Sequence, residues 1–293
     1  LDQNQDGFGD DFVTTVEIDR TPPTVAVHAG VCLEFDGDDD AVSLNSLCLH
    51  GLDALTVECW LQTTKTGAQA ILSGASNAQD NEFLLWLKSE NEVELLRNSD
   101  STVWTVPSLA DGRWHHLAVT ADSNTGKVAL YIDGASQGER DEAWSPLQVH
   151  PGGLIVGQEQ DRLGGYFDPT QALEGKLADL RLWSTARTAA EIANGRFAKL
   201  DGSETELVAN WRFEDGTGTT ASDPGPNAFD GQLGVRDEGN VPSWSACNAP
   251  IERTAIRVKY TDAGGMDAAT VQDVANYTIA SSGEDGTFGD GNE

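Results

Sequence analysis

Between residues 30 and 247 apolar side chains recur at every second position in short runs, at 32–35, 55–61, 70–72, 83–87, 93–96, 114–121, 128–132, 154–156, 177–183, 207–213 and 229–233. A period of two puts one side of a strand into a core and leaves the other for solvent. Turn residues separate the runs, among them the hairpin pair Asp133-Gly134 and the turn Asp111-Gly112. Many short strands with almost no helical periodicity predict an all-β domain, an antiparallel two-sheet jelly-roll sandwich with one short helix and small β flanking segments. The helix is expected from Thr188, where Thr188 as N-cap and Glu191 three positions on form a capping box.

Outside this region the pattern changes. Residues 1–19 read as an acidic linker ending in a strand, 20–29 as the first strand of a module, 30–247 as the sandwich, 248–280 as a partial module and 281–293 as a Gly- and acid-rich tail. Segments 20–28 and 251–280 resemble immunoglobulin-like modules of bacterial surface proteins, which implies one such module with the sandwich inserted into it. Its strands are too few to close; the rest lie beyond residue 293, come from a neighbouring chain, or do not exist. The abrupt start at Leu1-Asp2 reads as a piece of a longer protein, and Asn276-Tyr-Thr278 is a glycosylation sequon.

The formal charge of −30 and pI near 4.2 argue against nucleic acid and anionic membranes, which need clustered Lys and Arg. Such acidity suits cation binding or a salty extracellular setting, and no apolar run reaches the length of a membrane span. The expected location is secreted or at the cell surface. Cysteines at 32, 48, 59 and 247 form no CxxC pair and lack His at zinc spacing. Disulfides are open to them, with Cys32 and Cys247, at the two ends of the central region, as the first choice.

Two acidic stretches have the chemistry of calcium loops. Residues 157–171 pack Glu159, Asp161 and Asp168 with the amides of Gln160 and Gln171 into a turn-rich loop. Oxygen ligands on a chain that folds back sharply suit a hard cation, whereas crowded carboxylates alone would repel. At the N-terminus Asp2, Asn4, Asp6, Phe8 and Asp10, with Gly7 at the turn, match the front half of an EF-hand-type loop, although Val13 stands where the closing Glu would be. That stretch is similar to thrombospondin type 3 repeats and bacterial surface-protein linkers.

Leu33-Glu-Phe-Asp-Gly37, Leu55-Thr-Val-Glu-Cys-Trp60, Trp114-His-His-Leu-Ala-Val-Thr120, Leu130-Tyr-Ile-Asp-Gly134 and Asn210-Trp-Arg-Phe213 resemble, in order and spacing, the laminin-G-like, concanavalin A-like sandwich. Gln79-Asp-Asn-Glu82 and the 157–171 loop, followed by Gly175 and Leu180-Arg-Leu-Trp183, resemble its pentraxin branch. The resemblance implies Ca2+ held by Asp80, Asn81, Glu159, the backbone carbonyl of Gln160 and Asp161. It implies a second ion shared by Glu159, Asp161, Asp168 and Gln171. A further set, Asp36, Asp39 and their neighbours with Asp223, Asn227 and Asp230, resembles segments that meet at a structural calcium in bacterial laminin-G-like domains. The disulfide that the family carries between its sheets is missing, because Glu58 and Ala118 occupy those positions.

Catalysis finds no support in the residues. Glu17-Ile-Asp19 begins like a glycoside hydrolase strand but continues Arg-Thr-Pro, and Gly-x-Ser-x-Gly does not occur. His115 and His116 read as strand residues, one facing the core. The expectation is a non-enzymatic, calcium-dependent lectin-like adhesion module that holds a glycan or polar anionic ligand, with Tyr166 and Phe167 as ligand contacts. Trp104 and Trp144 also sit in turn-rich surroundings, although Trp in a sandwich is more often core. The alternatives are a self-associating subunit of a surface layer or filament, stiffened by calcium, and an accessory domain of a secreted glycoside hydrolase.

Overall fold

Alternating apolar residues become paired strands throughout the region described by the computed structural model, residues 30–251 apart from 45, 99, 143, 226 and 236–240. The calcium loop expected at Asp2–Asp10, most of the flanking immunoglobulin-like segments, the acidic tail and the sequon lie outside the described residues. In chain order the strands are β1 (Gly30–Asp36), β2 (Val42–Leu44), β3 (Ala54–Gln62), β4 (Gln69–Gly74), β5 (Phe83–Ser89), β6 (Glu92–Arg97), β7 (Asp100–Thr105) and β8 (Trp114–Asp122). They continue as β9 (Lys127–Ile132), β10 (Ala135–Asp141), β11 (Leu154–Val156), β12 (Glu174–Trp183), β13 (Leu207–Trp211), β14 (Thr220–Ala221), β15 (Gly231–Leu233) and β16 (Ser243–Cys247).

One eight-stranded sheet runs β10-β9-β8-β3-β12-β1-β16, with β13 paired to β12. The other runs β14-β15-β2-β11-β4-β5-β6-β7. Pairing between these strands is antiparallel, as in the long β3–β8 and β12–β3 ladders. The fold is therefore the expected two-sheet, concanavalin A-like jelly roll with one short helix. Leu55, Val57, Cys59 and Leu61 of β3 enter the core between the sheets with Leu117, Val119 and Ala121 of β8 and Phe83, Leu85 and Leu87 of β5.

The alternate residues of β3 have a different fate. Thr56, Glu58 and Trp60 face away from that core, yet they are buried. The segment after β12, with α1 (Ala189–Gly195), covers them. Thr56 donates to the Thr185 carbonyl at 2.7 Å and the Trp60 indole to the Arg196 carbonyl at 2.9 Å. The helix starts on the predicted capping box: the Glu191 amide donates to the Thr188 hydroxyl, and the Thr188 amide donates to the Glu191 carboxylate at 2.7 Å.

Glu58 is the electrostatic centre of this covering layer. Its Oε1 accepts from the Trp183 indole and from Arg187 Nη1, each at 2.8 Å, and from Arg181 Nη1 at 3.4 Å. Arg181 also donates to Asp179 and to the Gly195 and Ala198 carbonyls, which ties β12 to the end of the helix. Burial pushes the Asp179 carboxyl up against the pull of Arg181, and Asn210 donates to it at 2.8 Å. Glu58 and Ala118 are direct cross-strand partners. The two positions of the family disulfide thus lie on neighbouring strands of one sheet and not on two sheets.

Cys32 and Cys247 do not form the expected disulfide; all four cysteines are free and buried. Cys32 pairs with Ser245 and Cys247 with Gly30, so the two are diagonal neighbours on β1 and β16. The two thiols nonetheless lie within hydrogen-bonding reach of one another across the strands, which pulls the Cys247 thiol down to about 7. Both side chains fill a small apolar cluster with Trp60 and Ala178. Among the described residues no helix is long and apolar enough to cross a membrane.

Candidate metal and ligand site

Two loops of the second sheet converge at the ends of adjacent strands. One, 75–82, joins β4 to β5; the other, 157–168, leaves β11 and closes in a 3-10 turn at Pro169–Gln171. β4 pairs with both β5 and β11; β11 runs antiparallel to it, so the second loop leaves beside Ile71 and folds back past Ser73 and Gly153 toward the first.

The second loop is pinned from beneath by Gln160. Its Nε2 donates to the Ser73 hydroxyl at 2.9 Å and the Gly153 carbonyl at 3.0 Å, while Oε1 accepts from the Gly164 amide at 2.8 Å. The Gln160 side chain is therefore scaffold, and only its backbone carbonyl is free for the role that the resemblance implies. Gly157 sits at φ +89°, and a Cβ there would meet the Phe35 ring at 2.5 Å, so a side chain fits neither sterically nor conformationally.

Around this frame three buried side-chain oxygens have no hydrogen-bond partner: Asn81 Oδ1, Glu159 Oε2 and Gln171 Oε1. Orphaned buried acceptors are costly, and three from two loops is a donor set of the kind a hard cation takes. The Glu159 carboxyl is pushed up to about 7, first by burial and then by Asp161, with Asp80 and Asp168 adding to the push while a hydrogen bond from Asn81 opposes it. Those carboxylates are thus close enough to feel one another, and a cation among them would reverse their mutual repulsion. Asp168 Oδ1 caps the 3-10 turn, accepting from the Thr170 amide at 2.9 Å and its hydroxyl at 2.8 Å. Asp80 and Asp161 are exposed.

Beside this set Tyr166 is 64% exposed and holds φ at +58°, a backbone conformation that a non-glycine residue adopts only when its surroundings impose it. The Arg162 guanidinium lies 3.7 Å over its ring, which leaves the opposite ring face for a ligand. Phe167 is half-buried. Trp104 and Trp144 are core residues, 0% and 5% exposed, and neither offers a face to a sugar.

The second acidic set divides. Carboxylate oxygens of Asp36, Asp39 and Asp40 all lie within 4.8 Å of one another, and Asp40, the buried member, is pushed up to about 6 by burial. Asp223 and Asp230 do not join this group. Asp223 accepts from the amides of Asn210, Gly225 and Phe229 at 2.9–3.0 Å, Asp230 accepts from the Asp223 amide, and Asn227 is exposed. They staple the loop between β14 and β15. A residue that sequence reading passed over is Gln158, fully buried, whose Nε2 reaches the Asp38 and Asp40 carbonyls and whose Oε1 has no partner. A glutamine beside Glu159 carried no signal of its own in the sequence, because its role depends on which strand lies opposite.

Comparison with known proteins agrees with this architecture. Residues 36–193 match the family model described as the concanavalin A-like lectin/glucanases superfamily. The human neuronal pentraxin receptor is 39% identical over 148 residues, 49% of this chain and 29% of the relative. Human neuronal pentraxin-2 is 38% identical over 150 residues, 50% of this chain and 34% of the relative. The chain thus spans about a third of the length of these curated relatives. A candidate carbohydrate binding protein from Bacteroides ovatus superposes with a TM-score of 0.60 at 18% identity, over 76% of this chain and 61% of that one, which shows the shared fold.

Proposed function

Because the chain belongs to the concanavalin A-like lectin/glucanase superfamily, we propose that it is an extracellular, calcium-dependent binding module and not an enzyme, holding a glycan or polar anionic ligand at the site on loops 75–82 and 157–171. The observation that carries this reading is the raised Glu159 carboxyl, buried beside Asp161, Asp80 and Asp168 and hydrogen-bonded by Asn81, on the same two loops that hold the unpartnered oxygens of Asn81, Glu159 and Gln171. Pentraxin relatives covering half of the chain support it.

In this reading Asp80, Asn81, Glu159, the Gln160 carbonyl and Asp161 hold one Ca2+, and Glu159, Asp161, Asp168 and Gln171 hold a second. Bound calcium supplies positive charge and open coordination positions to carboxylate, phosphate or diol oxygens. The chain's own residues do the rest. Gln160 keeps the loop closed, Asp168 fixes the 3-10 turn that presents Gln171, and Tyr166 offers an aromatic face beside the site.

A second reading, calcium as a stiffener in a self-associating surface subunit, is favoured by the separate Asp36, Asp39 and Asp40 cluster. There an ion would rigidify the turn between β1 and β2.

Calcium is expected to raise the melting temperature of the domain. At one hundred times the dissociation constant the gain corresponds to about 2.7 kcal/mol. Glu159→Gln with Asp161→Asn removes it, and identical melting curves with calcium and with chelator would refute the metal. On a glycan array the calcium-dependent signal disappears in the same double variant; a signal that persists there separates the ligand from this site.

A further inference from the structure

The first sheet carries a second cleft with different chemistry. It opens on the outer side of β3 and β8, where Trp60 and Trp114 project, and has a volume of about 470 Å3. Its floor is aromatic: Trp60 stacks on Phe197 with ring centroids 5.5 Å apart, and the half-buried Trp114 lies alongside with its indole donating to Asn248 at 3.2 Å. The rim is cationic. Arg113 has a side chain 85% exposed, and Arg196 lies 4.2 Å over the Phe197 ring.

The acids near this cleft are already engaged. Asp133 holds His115 Nδ1 at 2.9 Å and the His116 amide at 2.9 Å, and Asp111 holds His115 Nε2 at 3.1 Å. Arg113 has only a long 3.9 Å approach to Asp111. With both ring nitrogens on carboxylates His115 is held toward its charged form, and Arg113, Arg196 and His115 against Asp133 and Asp111 leave one positive charge at the cleft. The local positive charge favours an anion within the cleft, and salt screens the repulsion from the acid elsewhere on the chain. The aromatic floor selects one with a flat, weakly polar face.

We propose that this cleft binds an acidic sugar, a pyranose bearing a carboxylate, with its ring against Trp114 and its carboxylate on Arg113. The volume lies in the range of small-ligand sites and admits one or two sugar units. A guanidinium meets a carboxylate in a bidentate fork, which a neutral sugar cannot engage. Neither cation set described above contributes to it, because those residues belong to other loops; binding here is independent of calcium.

Calorimetric titration of the intact chain with methyl glucuronide, in excess chelator throughout, tests the assignment. Saturable binding is expected, with methyl glucoside at least about tenfold weaker and Arg113→Ala lowering affinity for the glucuronide by about tenfold or more. Arg113 is exposed enough that its removal leaves the fold intact, which a melting curve of the variant verifies. An oligouronide binding more tightly names a polysaccharide as the source, and equal affinity names a single sugar. No saturable heat at millimolar glucuronide, equal affinity for the neutral glycoside, or unchanged affinity in Arg113→Ala would overturn the proposal. Chelator is present in every arm, so failure of the calcium reading leaves this result untouched.

Discussion

Replacing Glu58 with alanine is expected to destabilise the domain by about 3–5 kcal/mol, because one member of a buried charge network is removed and its partners are left without a counter-charge. Glu58 is 0% exposed and its Oε1 is shared by Trp183, Arg187 and Arg181. Arg181 keeps Asp179, but Arg187 keeps only the Glu191 carbonyl and the Trp183 ring. The cost comes less from the lost attraction than from the Arg187 guanidinium, left at 12% exposure without a carboxylate while Asp179 alone balances Arg181. Chemical denaturation at neutral pH measures it, and at 2–4 °C per kcal/mol the melting point falls by roughly 6–20 °C. A loss under about 1 kcal/mol would mean that the covering layer opens to solvent and that the network is not a closed one.

Acid is expected to unfold the same layer through His116. This ring is 1% exposed under Trp60, and burial first, then the nearby Arg181 and Arg196, depress its pKa from 6.5 to about 3. Its Nε2 lies 3.5 Å from Glu58 Oε2, but with the pKa so depressed the ring is neutral and the contact is not an ion pair. In the unfolded chain the imidazole takes up a proton below pH 6.5, while in the folded chain it stays neutral down to about 3. Stability is therefore lost as pH falls through that window, by about 1.4 kcal/mol per pH unit and about 5 kcal/mol in all. Denaturant unfolding between pH 7 and pH 4 should show a shallower slope in His116→Gln than in the parent. Identical slopes would assign the acid sensitivity to carboxylates elsewhere.

Much of this architecture is written as period-two alternation. The runs at 55–61, 114–121 and 177–183 became β3, β8 and β12, the middle of one sheet, because a strand between two neighbours must show its pattern on a buried face. β10, Ala-Ser-Gln-Gly-Glu-Arg-Asp, carries no such pattern. It is an edge strand, held to β9 by the Asp133-Gly134 turn, by backbone pairing and by the ion pairs of Lys127 with Glu139 and Asp141. The outer residues of β3 misled in the opposite direction: Glu58 reads as a solvent position until the segment after β12 folds over it.

The loop acids were legible for a similar reason. Carboxylates spaced with glycines need no distant partner to be noticed, and Glu159, Asp161 and Asp168 lie in one stretch. Their union with Asn81 required the β4–β5 register, which the resemblance supplied and local chemistry could not. The expected meeting of Asp36 and Asp39 with Asp223 shows the limit. Asp223 looks like a ligand in sequence but is consumed by three backbone amides, a fate set by the fold of a loop and not by residue type.

The network at Glu58 also determines how the molecule responds to ionic strength. Glu58 and Asp179 are matched by Arg181 and Arg187, two charges of each sign. They lie beneath the reach of mobile ions, whereas the excess of acid is spread over the rest of the chain, where dissolved ions screen it at separations beyond about 8–10 Å. Added salt therefore relieves the repulsion and spares the attraction. A fold of this kind tightens in brine and is at its weakest in fresh water.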